Sequence, residues 1–377
     1  MRKIGVDAIH LSDTGKGNSR VEAGFINELA KHAAPFEFYI FLNSSSRITD
    51  LPQGNHIKYI RIKIFNFITW EQIQLPLNLL RYQIDLLHTC SDRIPLLFRK
   101  PIVLYLGEIP DYRYHADRRT ASLYKTASGG LTKFFFPYSV QMARKILVPS
   151  RSTQSDLLKL YSIGADKIVV TPLGTPTAFK KCDDNNVKAE VRHRIGAPEG
   201  YILHFSSIND RRDNTEIALR AYHTSCQKLD HRRKLVIAGN CDMRSQGLTH
   251  LVEKLNLASR LVLTGFVSDQ TLLELYWGAD LYLDPSLYEG FGFQVLEAMA
   301  CGVPVVCSNV TSLPEIVGDA GIVVDPNNAD GFSVAITNVL NDSCLASSMI
   351  QKGLERAQQY SWSTIVMASL KAYTEIL

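Results

Sequence analysis

Asp284-Pro285-Ser286-Leu287-Tyr288-Glu289-Gly290-Phe291-Gly292-Phe293-Gln294-Val295-Leu296-Glu297-Ala298-Met299-Ala300 is the stretch that decides the fold. Asp280 to Leu283 before it end a buried strand, and good helix formers follow Gly292. Gly302 and Pro304 stop that helix, and Val303 to Cys307 make the next strand. Strand, glycine loop, helix and strand in succession are a unit of a parallel α/β sheet. The Gly-Phe-Gly loop feeds a helix N-terminus, whose free N–H groups and positive dipole end suit a phosphate. Glu289 in the loop and Glu297 about a turn into the helix cannot bind that phosphate, because like charges repel. They can accept hydrogen bonds from hydroxyls on either side of it. A nucleotide-sugar carries a diphosphate with ribose hydroxyls at one end and sugar hydroxyls at the other. It suits this segment better than a bare nucleotide.

Working outward, Leu261-Val-Leu-Thr-Gly-Phe-Val-Ser-Asp precedes the stretch, and Cys301-Gly-Val-Pro-Val-Val-Cys-Ser-Asn and Leu313-Pro-Glu-Ile-Val-Gly-Asp-Ala-Gly follow it. With these flanks the run resembles the E-x7-E region of retaining glycosyltransferases of family 4, group 1 glycosyltransferases of GT-B architecture. The likeness is close from Tyr201 to the C-terminus and loose over residues 1–180. It implies two doubly wound Rossmann-like α/β domains facing across a cleft. Residues 1–178 are the expected acceptor-side domain, onto which a helix over 362–377 packs back. Residues 188–360 are the expected donor-binding domain.

At 377 residues the chain fits two domains, and its 46% hydrophobic and 21% charged residues are those of a soluble globular protein. The net charge is +4, unevenly spread. Residues 1–180 hold 24 Lys and Arg against 14 Asp and Glu, and the rest hold 17 against 23. A basic N-terminal half can face an acidic membrane surface or a lipid-linked phosphate acceptor, or the difference is plain scatter. No dense basic block points to nucleic acid. Seven cysteines, with no C-x-x-C spacing, are expected as reduced thiols in a cytoplasmic protein, which can also sit at the inner face of the membrane. Met1 leads straight into a strand without a signal peptide, and no apolar run approaches the ~18 residues a spanning helix needs.

Further strands are expected at Lys3 to Ile9, Phe36 to Leu42, Ile57 to Ile64, Leu86 to Thr89, Pro101 to Leu106, Lys145 to Pro149, Tyr201 to Phe205 and Lys234 to Gly239. Asp13-Thr14-Gly15-Lys16-Gly17-Asn18 forms a glycine loop into a helix over Val21 to His32. Its G-x-G lacks the third glycine of a dinucleotide fingerprint. Trp70 to Tyr82 is an expected helix kinked or broken at Pro76. Thr120 to Met142 is helical in tendency but broken at Gly129-Gly130 and Pro137. Within it Leu131 to Tyr138, flanked by Lys133, Arg144 and Lys145, suits a buried patch or a membrane interface. Ser150 opens a helix as N-cap, residues 177–190 are the linker, and Ser361-Trp362-Ser363 breaks the helices before Met367 to Leu377.

The resemblance assigns roles. Glu289 binds the sugar hydroxyls as the catalytic residue, and Glu297 takes the ribose hydroxyls. The backbone of Gly290, Phe291, Gly292, Phe293, Val295 and Leu296 holds sugar and phosphates, and the backbone of Val267 meets the nucleobase. Gly17 and Asn18 lie near the diphosphate and sugar. Where the family has Gly, Arg and Lys near the diphosphate, this chain has Ser207, Ile208 and Asp213, so Arg212, with Arg211 adjacent, is the expected cation. Where the family has a His-Asp pair, this chain has Leu106 and Gly107, with Glu108 or His115 as possible substitutes or plain loop residues. The expected activity is transfer of a hexose, glucose from UDP-glucose on base rates, to a saccharide or lipid-linked acceptor in polysaccharide or glycoconjugate synthesis. No D-x-D triplet occurs, so no metal or other cofactor is expected. A nucleotide-sugar epimerase, a non-catalytic nucleotide-sugar sensor and a two-carboxylate glycosidase are the alternatives. Interconversion without acceptor, binding without turnover, and hydrolysis of a simple glycoside distinguish them.

Overall fold

The computed structural model describes the chain except residues 12–16, 33–34, 47–49, 111–122, 208–210, 230–231 and 245–246, and the side chains of 123–129. Two compact units share the described residues. Those up to Gly174, together with Ser361–Leu377, form the first, and Thr175–Tyr360 form the second.

The first unit is a seven-stranded parallel sheet of β1 (Arg2–Asp7), β2 (Phe36–Asn43), β3 (Ile57–Ile62), β4 (Leu86–Thr89), β5 (Ile102–Tyr105), β6 (Lys145–Val148) and β7 (Ile168–Val170), in the order β3-β2-β1-β4-β5-β6-β7. The second is a six-stranded parallel sheet of β8 (Tyr201–Phe205), β9 (Lys234–Ala238), β10 (Leu261–Gly265), β11 (Leu281–Asp284), β12 (Val305–Ser308) and β13 (Ile322–Val324), in the order β10-β9-β8-β11-β12-β13. The central strands read as unbroken apolar runs because helices cover both faces of a parallel sheet. Each sheet reverses its winding once, at β1/β4 and at β8/β11. Such switch points open a crevice at the carboxyl ends of the strands, where ligands bind in doubly wound folds.

Trp362–Ile376 forms one helix, with Ser361 Oγ accepting from the Ser363 amide at its start, so the expected break is instead an N-cap. The helix is fastened into the first unit. Tyr373 is hydrogen-bonded to His88, and Lys145 pairs with Glu375 at 3.6 Å. Gly24 and Gly174 leave room for Trp362. A Cβ on Gly24 comes within 2.3 Å of its ring, and one on Gly174 within 2.4 Å of its backbone nitrogen. Gly24→Ala is therefore expected to destabilise the protein by about 1–3 kcal/mol through overpacking. A lowered unfolding midpoint in a thermal melt checks it.

Two expected breaks fall differently. Before Pro76 the helix runs Phe67–Thr69, a π-helical turn Trp70–Gln74, then Leu75–Arg81. The Leu75 amide reaches back to Trp70 O, which places Pro76 in a fresh first turn where its missing N–H costs nothing. Leu123–Met142 is continuous through Gly129, Gly130 and Pro137. Burial of Phe136 and Val140 against the sheet outweighs the local cost of those residues. The aromatic stretch on that helix splits, with Phe136 in the core and Phe134 exposed. Among the described residues no helix is long and apolar enough to cross a membrane. All seven cysteines are free thiols, and Cys301 and Cys307 are buried.

Candidate active site

The deciding stretch folds as β11, a loop over 285–292, and the helix Phe293–Ala300. Its geometry comes from four local ties. Asp284, buried at the end of β11, accepts from the Ser286 amide at 3.2 Å and from Ser286 Oγ at 2.5 Å, which turns the chain sharply after Pro285. Ser308 at the end of β12 donates to Ser286 O and holds the turn against the neighbouring strand. The Glu289 amide donates to Thr311 Oγ1 at 3.1 Å, and Ser312 Oγ donates to Glu289 O at 2.8 Å. The main chain of Glu289 is thus clamped on both sides by the loop after β12, leaving its half-buried side chain out of the clamp.

Gly292 is the N-cap of the following helix at φ +95°, and no side chain caps that end. The first turn of Phe293–Ala300 therefore presents the positive end of a helix dipole, which suits an anion. An L-residue at this φ is strained by about 1–2 kcal/mol, and a Cβ there lies 2.7 Å from Leu313 Cδ2. Gly292→Ala is expected to cut nucleotide affinity by about tenfold, the equivalent of that strain. Thermal melts with and without nucleotide check it, since loss of stability alone leaves the ligand-induced shift intact.

Beside this loop, at the other side of the switch point, stands the turn Arg211–Asp213. The Leu287 amide donates to Arg212 O at 2.7 Å, so Arg212 is held next to the Glu289 loop. Asn214, at φ +54°, donates to both Pro285 O and Pro326 O, at 2.9 and 2.8 Å. Asp213, standing at the expected lysine position, accepts from the amide and hydroxyl of Ser207. It fastens the loop after β8 rather than supplying a cation. Ile208 lies outside the described residues.

Glu297 is fully buried at 0% exposure, and Tyr276 Oη donates to its Oε2 at 3.2 Å. Burial pushes the Tyr282 phenol up, and the charges of Asp284, Glu289 and Glu297 add to the push, so these carboxylates gather around one ring. Beneath the Ser206-Ser207 loop, His204 bonds Leu283 O and Thr215, which bonds Ser206. Leu283 O can only accept, so Nδ1 of His204 carries a proton, and Thr215 Oγ1, within hydrogen-bond distance of Nε2, donates to Ser206 Oγ. Burial holds this imidazole below its ordinary pKa.

The structure brings Arg212, Glu289, Gly290, Phe291, Gly292, Phe293, Val295 and Leu296 to the β8/β11 switch point. Val267 follows β10, two strands away from β8 along the same edge. Gly17 and Asn18 belong to the first unit. Gly17, at φ +50°, precedes the helix Asn18–Leu29, and Asn18 Nδ2 donates to Cys90 O at 3.3 Å. The preceding loop residues 13–16 and His115 lie outside the described residues. Leu106 is part of the apolar core and bonds β6 through its amide, so no polar group stands at its position. Glu108 nearby is half-buried. Sequence reasoning missed Thr311, Ser312, Asn214 and Tyr276. The Ser312-Leu313-Pro314 helix start was the one local signal pointing toward the clamp.

Residues 188–356 match the family of glycosyl transferases group 1. The chain is 36% identical over 235 residues to O-antigen chain mannosyltransferase B of Escherichia coli, covering 62% of this chain and 61% of that one. It is 26% identical over 291 residues to the serotype-specific mannosyltransferase WbdA of Escherichia coli, covering 76% of this chain and 33% of that one. The match thus spans less than two thirds of either relative's own length. Among solved structures, sucrose-phosphate synthase from Thermosynechococcus elongatus superposes with a TM-score of 0.75 at 20% identity, covering 100% of this chain and 99% of that one. HepE of Anabaena, in complex with UDP and glucose, gives 0.74 at 16% identity, covering 99% of each. At such identities the structural likeness speaks for the fold, which is GT-B. Matched sequence, strand order and the glycine loop at the switch point agree: over residues 188–356 the chain is similar to the group 1 glycosyltransferases.

Proposed function

We propose that the protein moves a hexose from a nucleotide-diphosphate sugar to a hydroxyl of a growing polysaccharide, with the anomeric configuration retained. The observation that carries this reading is the clamped Glu289 beside the uncapped N-terminus of Phe293–Ala300. The positive end of the helix dipole receives the diphosphate, and the charge it gains on leaving is met there and by Arg212. Glu289 accepts hydrogen bonds from the sugar hydroxyls. Glu297, oriented by Tyr276, is the reader of the ribose. For the sugar, the names of the Escherichia coli relatives favour mannose over the glucose expected from the sequence.

Calorimetric titration with UDP, GDP and ADP tests the reading, followed by UDP-glucose and GDP-mannose with a mannan or glucan oligosaccharide as acceptor. Binding of one nucleotide, and its release from the matching donor when acceptor is added, is the expected result. No binding of any of the three sinks it. The core placement of Leu106 and the tie between Asp213 and Ser207 favour one second reading, a binder without turnover. It predicts tight donor binding and no nucleotide release with any acceptor.

A further inference from the structure

The helical run from Phe67 to Arg81 is apolar on two opposite sides. Trp70, Leu75 and Leu79 face the core, whereas Ile73, Leu77 and Leu80, at intervals of four and three, are 54%, 60% and 69% exposed. A helix apolar all round is ordinarily covered all round, yet the first unit covers only one side of this one. Two neighbouring segments widen the bare side. Gln74 Nε2 donates to Lys63 O at 2.9 Å, which brings in the loop carrying Phe65, 75% exposed. Gln72 donates to Ile94 O and accepts from the Leu96 amide, each at 3.1 Å, which brings in Leu97, also 75% exposed. So large an apolar patch marks an interaction surface.

The charge around it decides what covers it. Arg61, Lys63, Arg81 and Arg99 are exposed. From Leu51 to Ile84 the sole acidic residue is Glu71, which is buried and ion-paired to Arg93 at 2.7 Å. Beyond that range Asp85 is engaged by Lys100 and by the Lys3 amide, and Asp92 is half-buried. We propose that this face docks on an anionic lipid bilayer, with Phe65, Ile73, Leu77, Leu80 and Leu97 in the boundary between headgroups and acyl chains and the basic residues on lipid phosphates. A second copy is a poor cover, since the same face on both partners brings basic residues and no exposed acid from Leu51 to Ile84, so nothing there pairs the charges. The surface belongs to the first unit and the donor site to the second, so it stands whether or not the donor reading does.

Sedimentation of the full chain with vesicles of phosphatidylcholine, alone or mixed with phosphatidylglycerol, tests it. The protein is expected to pellet with the mixed vesicles, far less with phosphatidylcholine alone, and to be released by salt. Leu77→Ser combined with Leu80→Ser removes two apolar anchors and is expected to lower the partition coefficient by about thirtyfold. Lys63→Glu combined with Arg81→Glu is expected to lower it by about thirtyfold on mixed vesicles and leave it unchanged on neutral ones. These positions are exposed, so the unfolding midpoint and nucleotide affinity should match those of the unaltered protein. Failure of the unaltered protein to pellet with mixed vesicles overturns the proposal, as does pelleting of both variants to the same extent as the unaltered protein. A dimer in light scattering that Leu77→Ser with Leu80→Ser dissolves also overturns it, because the face is then an interface between copies.

Discussion

Glu289→Ala is expected to lower the turnover of sugar transfer by roughly a thousandfold, ~4 kcal/mol, the size of effect found when one group that stabilises the transition state is removed. The free nucleoside diphosphate should bind nearly as before. The separation follows from how the residue is held. Thr311 and Ser312 grip the Glu289 main chain, so truncating the side chain leaves the loop and the helix N-terminus in place. Glu297→Ala is expected to behave in the opposite way. It empties a fully buried position and removes one acceptor of the Tyr276 hydroxyl, so it should weaken nucleotide binding and lower the unfolding midpoint together. Calorimetry with the free nucleotide and turnover at saturating donor separate the two. Equal losses of nucleotide affinity in both variants remove the division of roles.

The second large effect is a pH dependence seated in the first unit. Asp7, at the carboxyl end of β1, is buried and accepts from Trp70 Nε1 at 3.0 Å and Thr89 Oγ1 at 3.1 Å. Burial raises its carboxyl from 3.8 to about 7, and Glu71 adds to the rise. Glu22 beside it is raised well above its ordinary value by burial and by the Asp7 charge. A raised acid holds its proton in the folded chain after the unfolded chain has released it. Its contribution to stability is whole below about pH 4 and is lost as pH climbs to about 7. The slope is about 1.4 kcal/mol per pH unit, some ~4 kcal/mol in all. Buried histidines pull the other way. His88 is lowered from 6.5 to about 3 by burial, so it favours the folded chain more as pH rises between those values. The total stability of the unaltered protein therefore hides the Asp7 contribution over pH 4–6.5. The difference between it and Asp7→Asn does not, because the histidines cancel. Denaturant unfolding at pH 5, 6, 7 and 8 should show Asp7→Asn gaining on the unaltered protein up to about pH 7 and then levelling. A difference that stays flat from pH 5 to 7 rules out a protonated Asp7.

Much of the second unit was legible because its signals are local. The glycines at 290 and 292 sit within one turn of the groups they position, and the strand–loop–helix unit announces its class through composition alone. What escaped reading was tertiary. The Glu289 clamp comes from residues 22 and 23 positions further on, and Asn214 joins carbonyls 71 and 112 positions away. Asp213 looked like a missing lysine, and only the contact with Ser207 shows it fastening a loop. Pro76 was read as a kink or a break, and the helix does restart there after a π-helical turn; Pro137 was read as a break because a sequence displays the lost N–H and not the packing that outweighs it. Asp7 read as an ordinary strand end, since no periodicity separates a carboxyl facing solvent from one closed over by Trp70.

The Trp362–Ile376 helix bears on the order in which the protein is made. Domains usually fold as they leave the ribosome, the earliest first. Here the unit that begins emerging first lacks the wall supplied by Trp362 and Tyr373 until Thr175–Tyr360 has been synthesised. The second unit is complete sooner. Nascent chains halted just past Tyr360 should thus resist protease across the later half and be cut in the earlier one.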